Sequence, residues 1–242
     1  MTLRPRLVAA ASVLLSGVIA AGCGPSSRSA HAAPAGPGSA AAAFVGPAVH
    51  GTLRVEIDHV QGRRPSDAAL ALLRQRLEER TDHPGGVEVV VDDVLAPTER
   101  AEHTLEHVRA LSAVHRDGWP TDEVGVIHVL YLDGAAASSL GDHLLGAAFG
   151  PASVVLFPDA IAASVGGAGR RAVDVEVWTL VHEAGHVLGL VGLGAPQVVA
   201  HAEAYRPGHC NQPGCVMGWS ADERATDFCP RCRDDLRAMG GR

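Results

Sequence analysis

His182 and His186 stand four residues apart, with Glu183 directly after the first, inside residues 181–190, VHEAGHVLGL. No other feature restricts the fold of this chain as much. On an α-helix, residues four apart lie on one face, one turn above the other. Two imidazoles so placed can hold one metal ion, usually Zn²⁺. The glutamate beside the first can reach a metal-bound water as general base. The chain must therefore supply a helix, a cleft in front of it and a further ligand from elsewhere.

The surrounding sequence suits that helix. Residues 173–190 (VDVEVWTLVHEAGHVLGL) contain no proline. At about 100° per residue, Val177, Leu180, Val181, Ala184 and Leu188 form a broad apolar face. Glu176, Thr179, Glu183 and His186 fall on a narrow polar stripe, with His182 at its edge. A mostly buried helix with one polar stripe is what the floor of a cleft requires. Gly189, three residues after His186, suits a helix end and a sharp turn.

With 242 residues, 47% of them hydrophobic, the chain can build one globular domain with a sizeable core once an N-terminal segment is set aside. A formal net charge of −7 and the lack of a basic stripe exclude nucleic acid as a partner. Residues 1–22 start with Arg4 and Arg6, continue as an apolar run too short for a spanning helix, and end Ala20-Ala21-Gly22 before Cys23. This resembles a bacterial lipoprotein signal, cut before a cysteine that then carries lipid. The alternative is a plain secretory signal. Both place the protein outside the cytoplasm, and a lipidated Cys23 would tether it to the membrane surface without spanning it. Residues 23–47, rich in Ala, Gly, Pro and Ser, read as a flexible tether, and the domain as residues 48–242.

Alternation predicts strands over 51–60, 87–94, 124–132 and 153–157. Helices are expected over 66–80, with Ser66 as N-cap, and over 98–116. The fold class is α/β (α+β): a mixed twisted sheet, two covering helices, the motif helix, and a small Cys-rich C-terminal subdomain at about 191–242. In the second helix, His103, Glu106 and His107 spell the inverted motif H-x-x-E-H. Ala101, Leu105 and Val108 mark the buried face there, so both histidines are expected on a solvated face without a metal.

Beyond Leu190 lie His201, His209, Cys210, Cys215, Met217, Cys229 and Cys232. H-E-x-x-H-x-x-G, a later His-Cys-x4-Cys, a methionine just after it and a Cys-x-x-Cys resemble the metzincin clan of zinc proteases, and the archaemetzincins in particular. The insertion after the helix resembles that of a group of bacterial metalloprotease lipoproteins. The resemblance implies that His182, His186 and His209 hold a catalytic zinc and that Glu183 is the general base. It places Met217 in a turn beneath the metal, and a second, structural zinc on Cys210, Cys215, Cys229 and Cys232. The third histidine of that pattern would fall six residues after His186, at Gly192, so His209 follows a long insertion. His201 is the competing third ligand and Glu203 an acidic alternative. Outside the cytoplasm, two disulfides are as natural for the four cysteines as zinc.

Three protein ligands leave one position for water, the arrangement of a catalytic site. The expected activity is therefore that of a zinc metallopeptidase of the cell envelope, a monomer whose substrate is peptide or protein, hydrolysed by a water that Glu183 activates. Tyr205 is a candidate for oxyanion stabilisation only if the insertion folds over the cleft. The alternative from another class is an inactive metal-binding envelope lipoprotein that binds a partner through the cleft.

Overall fold

The computed structural model describes residues 35–141, 143–165, 171–222 and 224–242. The signal segment and the lipidation site Cys23 lie outside the described residues. No helix among the described residues is long and apolar enough to cross a membrane.

A five-stranded sheet carries the molecule. Strands β1 (Thr52–Val60), β2 (Val87–Leu95), β4 (Val124–Tyr131), β6 (Gly146–Phe149) and β7 (Ser153–Leu156) lie in the order β2-β1-β4-β7-β6. β1 runs parallel to both β2 and β4, and β4 is parallel to β7. β6 alone is antiparallel and forms one edge. The short strands β3 (Glu102–His103) and β5 (Ala135–Ala136) pair separately.

The alternation read in the sequence sets the two faces. Leu53, Val55 and Ile57 of β1 and Ile127, Val129 and Tyr131 of β4 point to one side. There they meet Leu73 and Leu77 of α2 (Asp67–Arg80) and Leu180 and Val181 of α5 (Ala172–Val187). The opposite face is a smaller core of Val60, Leu130, Leu132, Phe157 and Val108, the last from α3 (Leu105–His115). That face also holds a buried polar network. His128 Nε2 donates to Asp58 Oδ2 at 2.9 Å, and its Nδ1 meets Ser112 Oγ at 2.8 Å. Ser66 caps α2 as expected, accepting from the Ala69 N–H. The remaining helices are α1 (Ala41–Val45), α4 (Pro158–Ser164) and α6 (Pro230–Ala238).

Two expectations are corrected. The second helix does not begin at 98. Glu99 has φ of 56°, Thr98 is tied to Asp133, and Thr104 caps α3 by accepting from the His107 N–H. His103 therefore lies on β3, where its Nε2 donates to the Asp133 carbonyl at 2.8 Å. It is fully buried, against the expected solvated face, while Ala101 is exposed. His103 Nδ1 lies 2.9 Å from His107 Nδ1, with the two rings stacked.

The tether is also shorter than composition implies. Phe44 and Val45 of α1 are buried. His83 reaches the carbonyls of Phe44 and His50, each at 3.0 Å, and pins this segment to the domain. Gly38 packs so closely on the 193–194 backbone that a Cβ would collide with the Leu193 carbonyl. The packed unit thus starts ahead of Val49.

Candidate metal centre

The motif helix α5 runs through the interior, and every residue from Trp178 to Val187 is buried. Leu188 ends it, and Gly189 follows with φ of 78°. A Cβ at Gly189 would clash with Ala41 and with the Ala195 amide, so this turn requires glycine. His182 and His186 project from one face, as the four-residue spacing demands, with their Nε2 atoms 3.0 Å apart.

His209 joins them. The insertion doubles back as a hairpin. Ala202 bridges Cys210, the Glu203 N–H donates to the His209 carbonyl at 2.7 Å, and the Asn211 N–H donates to that of His201 at 2.9 Å. This hairpin delivers His209 to the helix. Its ring centroid lies 5.2 Å from those of both His182 and His186. One ligand nitrogen from each of the three lies within 4.8 Å of the others. Tetrahedral zinc with Zn–N of about 2.0–2.1 Å would place its nitrogen ligands about 3.3 Å apart, close to the separation of the first two.

The tautomers also suit a cation. His182 Nδ1 donates to the Val216 carbonyl at 2.8 Å, and His209 Nδ1 donates to that of Pro207 at 3.1 Å. Each bond leaves Nε2 as a free lone pair aimed at the centre. Burial holds His182 down to about 4, and drives His186 well below its ordinary value with help from the neighbouring imidazoles. The lone pairs of His182 and His209 thus converge beside His186 Nε2, 3.0 Å from that of His182, and a cation between the rings would relieve their mutual repulsion.

Glu183 points into the same space. Burial raises its carboxyl to about 8, against the opposing effect of the Ala148 N–H, which donates to Oε2 at 2.8 Å. Ala148 belongs to the edge strand β6, so the glutamate is anchored between helix and sheet edge. Met217 is fully buried beneath the histidines, and its carbonyl accepts from the Cys210 N–H at 2.7 Å. Gly185 makes room for it, since a Cβ there would collide with Met217 Sδ and approach Phe228 Cε1 to 2.9 Å. The reading of the sequence missed Gly185. Its signal was a small residue between the two histidines.

The competitors for the third place are elsewhere. His201 is fully buried, but its Nε2 lies 3.4 Å from Cys232 Sγ and 3.5 Å from Asp235 Oδ2. Its Nδ1 donates to the Val199 carbonyl at 2.8 Å. It packs on the cysteine cluster and not on the histidines. Glu203 lends only its backbone to the hairpin and is not among the clustered groups. Tyr205 is 86% exposed and lines neither lobe of the cleft, so it is not placed for an oxyanion.

Cys210, Cys215, Cys229 and Cys232 form the second cluster, buried and free. The disulfide alternative is not realised. Cys210–Cys229 and Cys215–Cys232 are each 3.7 Å apart at sulfur, against about 2.05 Å for a bond. Tetrahedral Zn–S bonds of about 2.3 Å imply S···S separations of about 3.8 Å, so four thiolates at this spacing fit zinc. The Gln212 and Cys229 amides donate to Cys210 and Cys215 sulfur at 3.4 and 3.3 Å, as thiolate acceptors require.

The cleft in front of the histidines has two lobes of about 250 and 320 Å³. Leu144, Gly146, His182, Glu183, His209 and Trp219 border both. The smaller continues over Ala147, Ala148, Leu193, Pro207 and Gly208, and Pro37 closes one side. The larger runs past Trp178, Thr179, Ser220 and Ala221.

Comparison with solved structures places this architecture. Archaemetzincin from Methanopyrus kandleri superposes with a TM-score of 0.52 at 19% identity, over 78% of this chain and 96% of that one. The fold is metzincin-like. Mirolysin in complex with compound 9 matches at a TM-score of 0.42 and 15% identity over 77% of this chain and 90% of that one. No family model matches the chain, and no curated protein does.

Proposed function

We propose that this protein is a zinc metallopeptidase. The observation that carries the reading is the convergence of His182, His186 and His209 on one point, with Glu183 beside it and an open cleft in front. The archaemetzincin-like fold supports it, and so do the two backbone carbonyls that set the ligand tautomers. His182, His186 and His209 would hold the catalytic zinc, and the four cysteines a structural one. When bound, zinc supplies Lewis acidity to a water and to a peptide carbonyl in the cleft.

The chain's own groups do the rest. Glu183 takes the proton of the attacking water and hands it to the departing amine. Its high carboxyl pKa in the buried site suits the second transfer, and the charge of a cation nearby suits the first. The edge strand β6 borders both lobes and offers its outer backbone edge to an extended peptide. The Cys210 cluster stands next to His209 in sequence and fixes its backbone. A fixed ligand loses less entropy on metal binding. The envelope location and a lipid on Cys23 are part of the proposal, motivated by Ala20-Ala21-Gly22-Cys23. Mass spectrometry of the mature N-terminus tests them, and an unmodified start elsewhere makes the protein simply secreted.

The activity is tested by measuring metal content and peptide hydrolysis side by side on wild type and Glu183→Gln. The variant keeps its zinc and loses hydrolysis by roughly two or more orders of magnitude. Equal activity in the variant removes the role given to Glu183. Wild-type protein that holds zinc and cleaves no peptide favours the binding-module alternative.

A further inference from the structure

The described lining of both cleft lobes is mainly apolar, and Glu183 is its one carboxylate. At the rim stands one cation that the mechanism does not use. Arg206 belongs to the insertion hairpin, next to Pro207 and Gly208 of the smaller lobe. Its guanidinium lies 4.3 Å over the ring of Trp219. Trp219 borders both lobes and meets His209 edge-on at 4.9 Å. Many arginines elsewhere are tied to carboxylates, as in Arg80–Asp227, Arg171–Asp174 and Arg237–Asp234, and Arg116, which also stacks on a tryptophan, spends its edge on the Gly118 and Val126 carbonyls. The Arg206 side chain has no ion pair and no hydrogen bond among the described residues, and Glu203 in the same hairpin is not paired with it.

Stacking fixes the plane of a guanidinium through its face and leaves the N–H donors at its edge free. Those donors match a carboxylate bidentately. A carboxylate held there would sit one indole ring away from His209. The smaller lobe provides no competing anion at that end. With a formal net charge of −7, the protein repels an acidic peptide at long range, so any preference for one has to be local.

Resting on the peptidase reading, we propose that Arg206, held on the Trp219 platform, is a specificity-determining residue that captures a carboxylate of the peptide substrate. The carboxylate is an Asp or Glu side chain close to the scissile bond, or the free C-terminus of a short peptide.

The test uses the zinc-loaded protein and one quenched peptide scaffold. Asp, Glu, Asn, Gln, Arg and Lys are placed in turn at each position around the cleaved bond, and each peptide is made with a free and an amidated C-terminus. Wild type prefers the acidic member of a pair by roughly tenfold or more in kcat/KM, carried by KM. Arg206→Gln brings that ratio close to one, and Arg206→Glu turns the preference towards Arg or Lys. Side-chain pairs and C-terminal pairs tell the two carboxylate sources apart. A wild type without acid preference overturns the proposal. So does an Arg206→Gln variant that loses kcat equally on every peptide, because that pattern marks mere support of His209 through Trp219. The same peptides titrated onto Glu183→Gln report the preference as binding without turnover. Failure of cleavage in the wild type with acid-selective binding intact therefore refutes the peptidase reading alone.

Discussion

Gly185→Ala separates a local helix preference from tertiary packing at the metal centre. In an exposed helix interior this change stabilises by about 1 kcal/mol. Here the new methyl would collide with Met217 Sδ and lie 2.9 Å from Phe228 Cε1. Met217 is 0% and Phe228 3% exposed, so neither can retreat into solvent. Inserting a methyl into such a core costs about 1–3 kcal/mol, and two crowded neighbours put it in the upper part of that range. The net expectation is a loss of roughly 1–2 kcal/mol. The displaced methionine follows Val216, whose carbonyl orients His182. Zinc affinity at the histidines should therefore fall together with stability, by roughly tenfold or more. Urea unfolding of the metal-free protein and a competitive zinc titration read the two effects. An alanine variant about 1 kcal/mol more stable, with unchanged affinity, would refute the close packing of Met217 on the helix.

Zinc uptake at pH 7 should release about one proton more from wild type than from Glu183→Gln. The carboxyl near 8 is mostly protonated while the site is empty, and the metal's charge expels that proton. Buried His182, near 4, gives up none at this pH, and the difference vanishes above about pH 9, where Glu183 is already ionised. Calorimetry in buffers of different ionisation enthalpy measures it. Asp58→Ala should cost about 3–5 kcal/mol in urea unfolding, because His128 and the Asp93 amide lose a buried acceptor. Activity per folded molecule should persist, since that network lies on the sheet face opposite α5.

What was legible in the sequence was what periodicity and short spacing encode. Four of the five strands of the sheet, α2, and the pairing of His182 with His186 follow from residues two, three or four apart, whereas the four-residue edge strand β6 (Gly146–Phe149) is too short and too small-sided to show a period. The third ligand did not, because a hairpin with Gly192 at its start and His209 near its end replaces the usual short turn. Spacing alone does not separate His209 from His201; the resemblance favoured His209, and the return of that hairpin is what sets His209 beside the helix while His201 packs on the cysteine cluster. The start of α3 was misread because a positive φ at Glu99 and the Thr98–Asp133 bonds break a run of good helix formers. Helix α1 was hidden because Ala41, Phe44 and Val45 gain most of their partners from distant segments, around His83, Gly125, Gly189 and Gly241.

The proposed metal sites are two, three histidines and four cysteines, with His209 completing the first. Zinc stoichiometry combined with zinc-edge absorption, on wild type, His209→Ala and His201→Ala, addresses them directly. Wild type should hold about two zinc ions per chain, with nitrogen ligands near 2.0–2.1 Å and sulfur ligands near 2.3 Å. His209→Ala should keep about one, in an all-sulfur shell, while His201→Ala retains the nitrogen-bound ion. A His209→Ala protein that binds zinc like wild type, with the nitrogen shell lost in His201→Ala instead, would remove His209 from the first site and put His201 there.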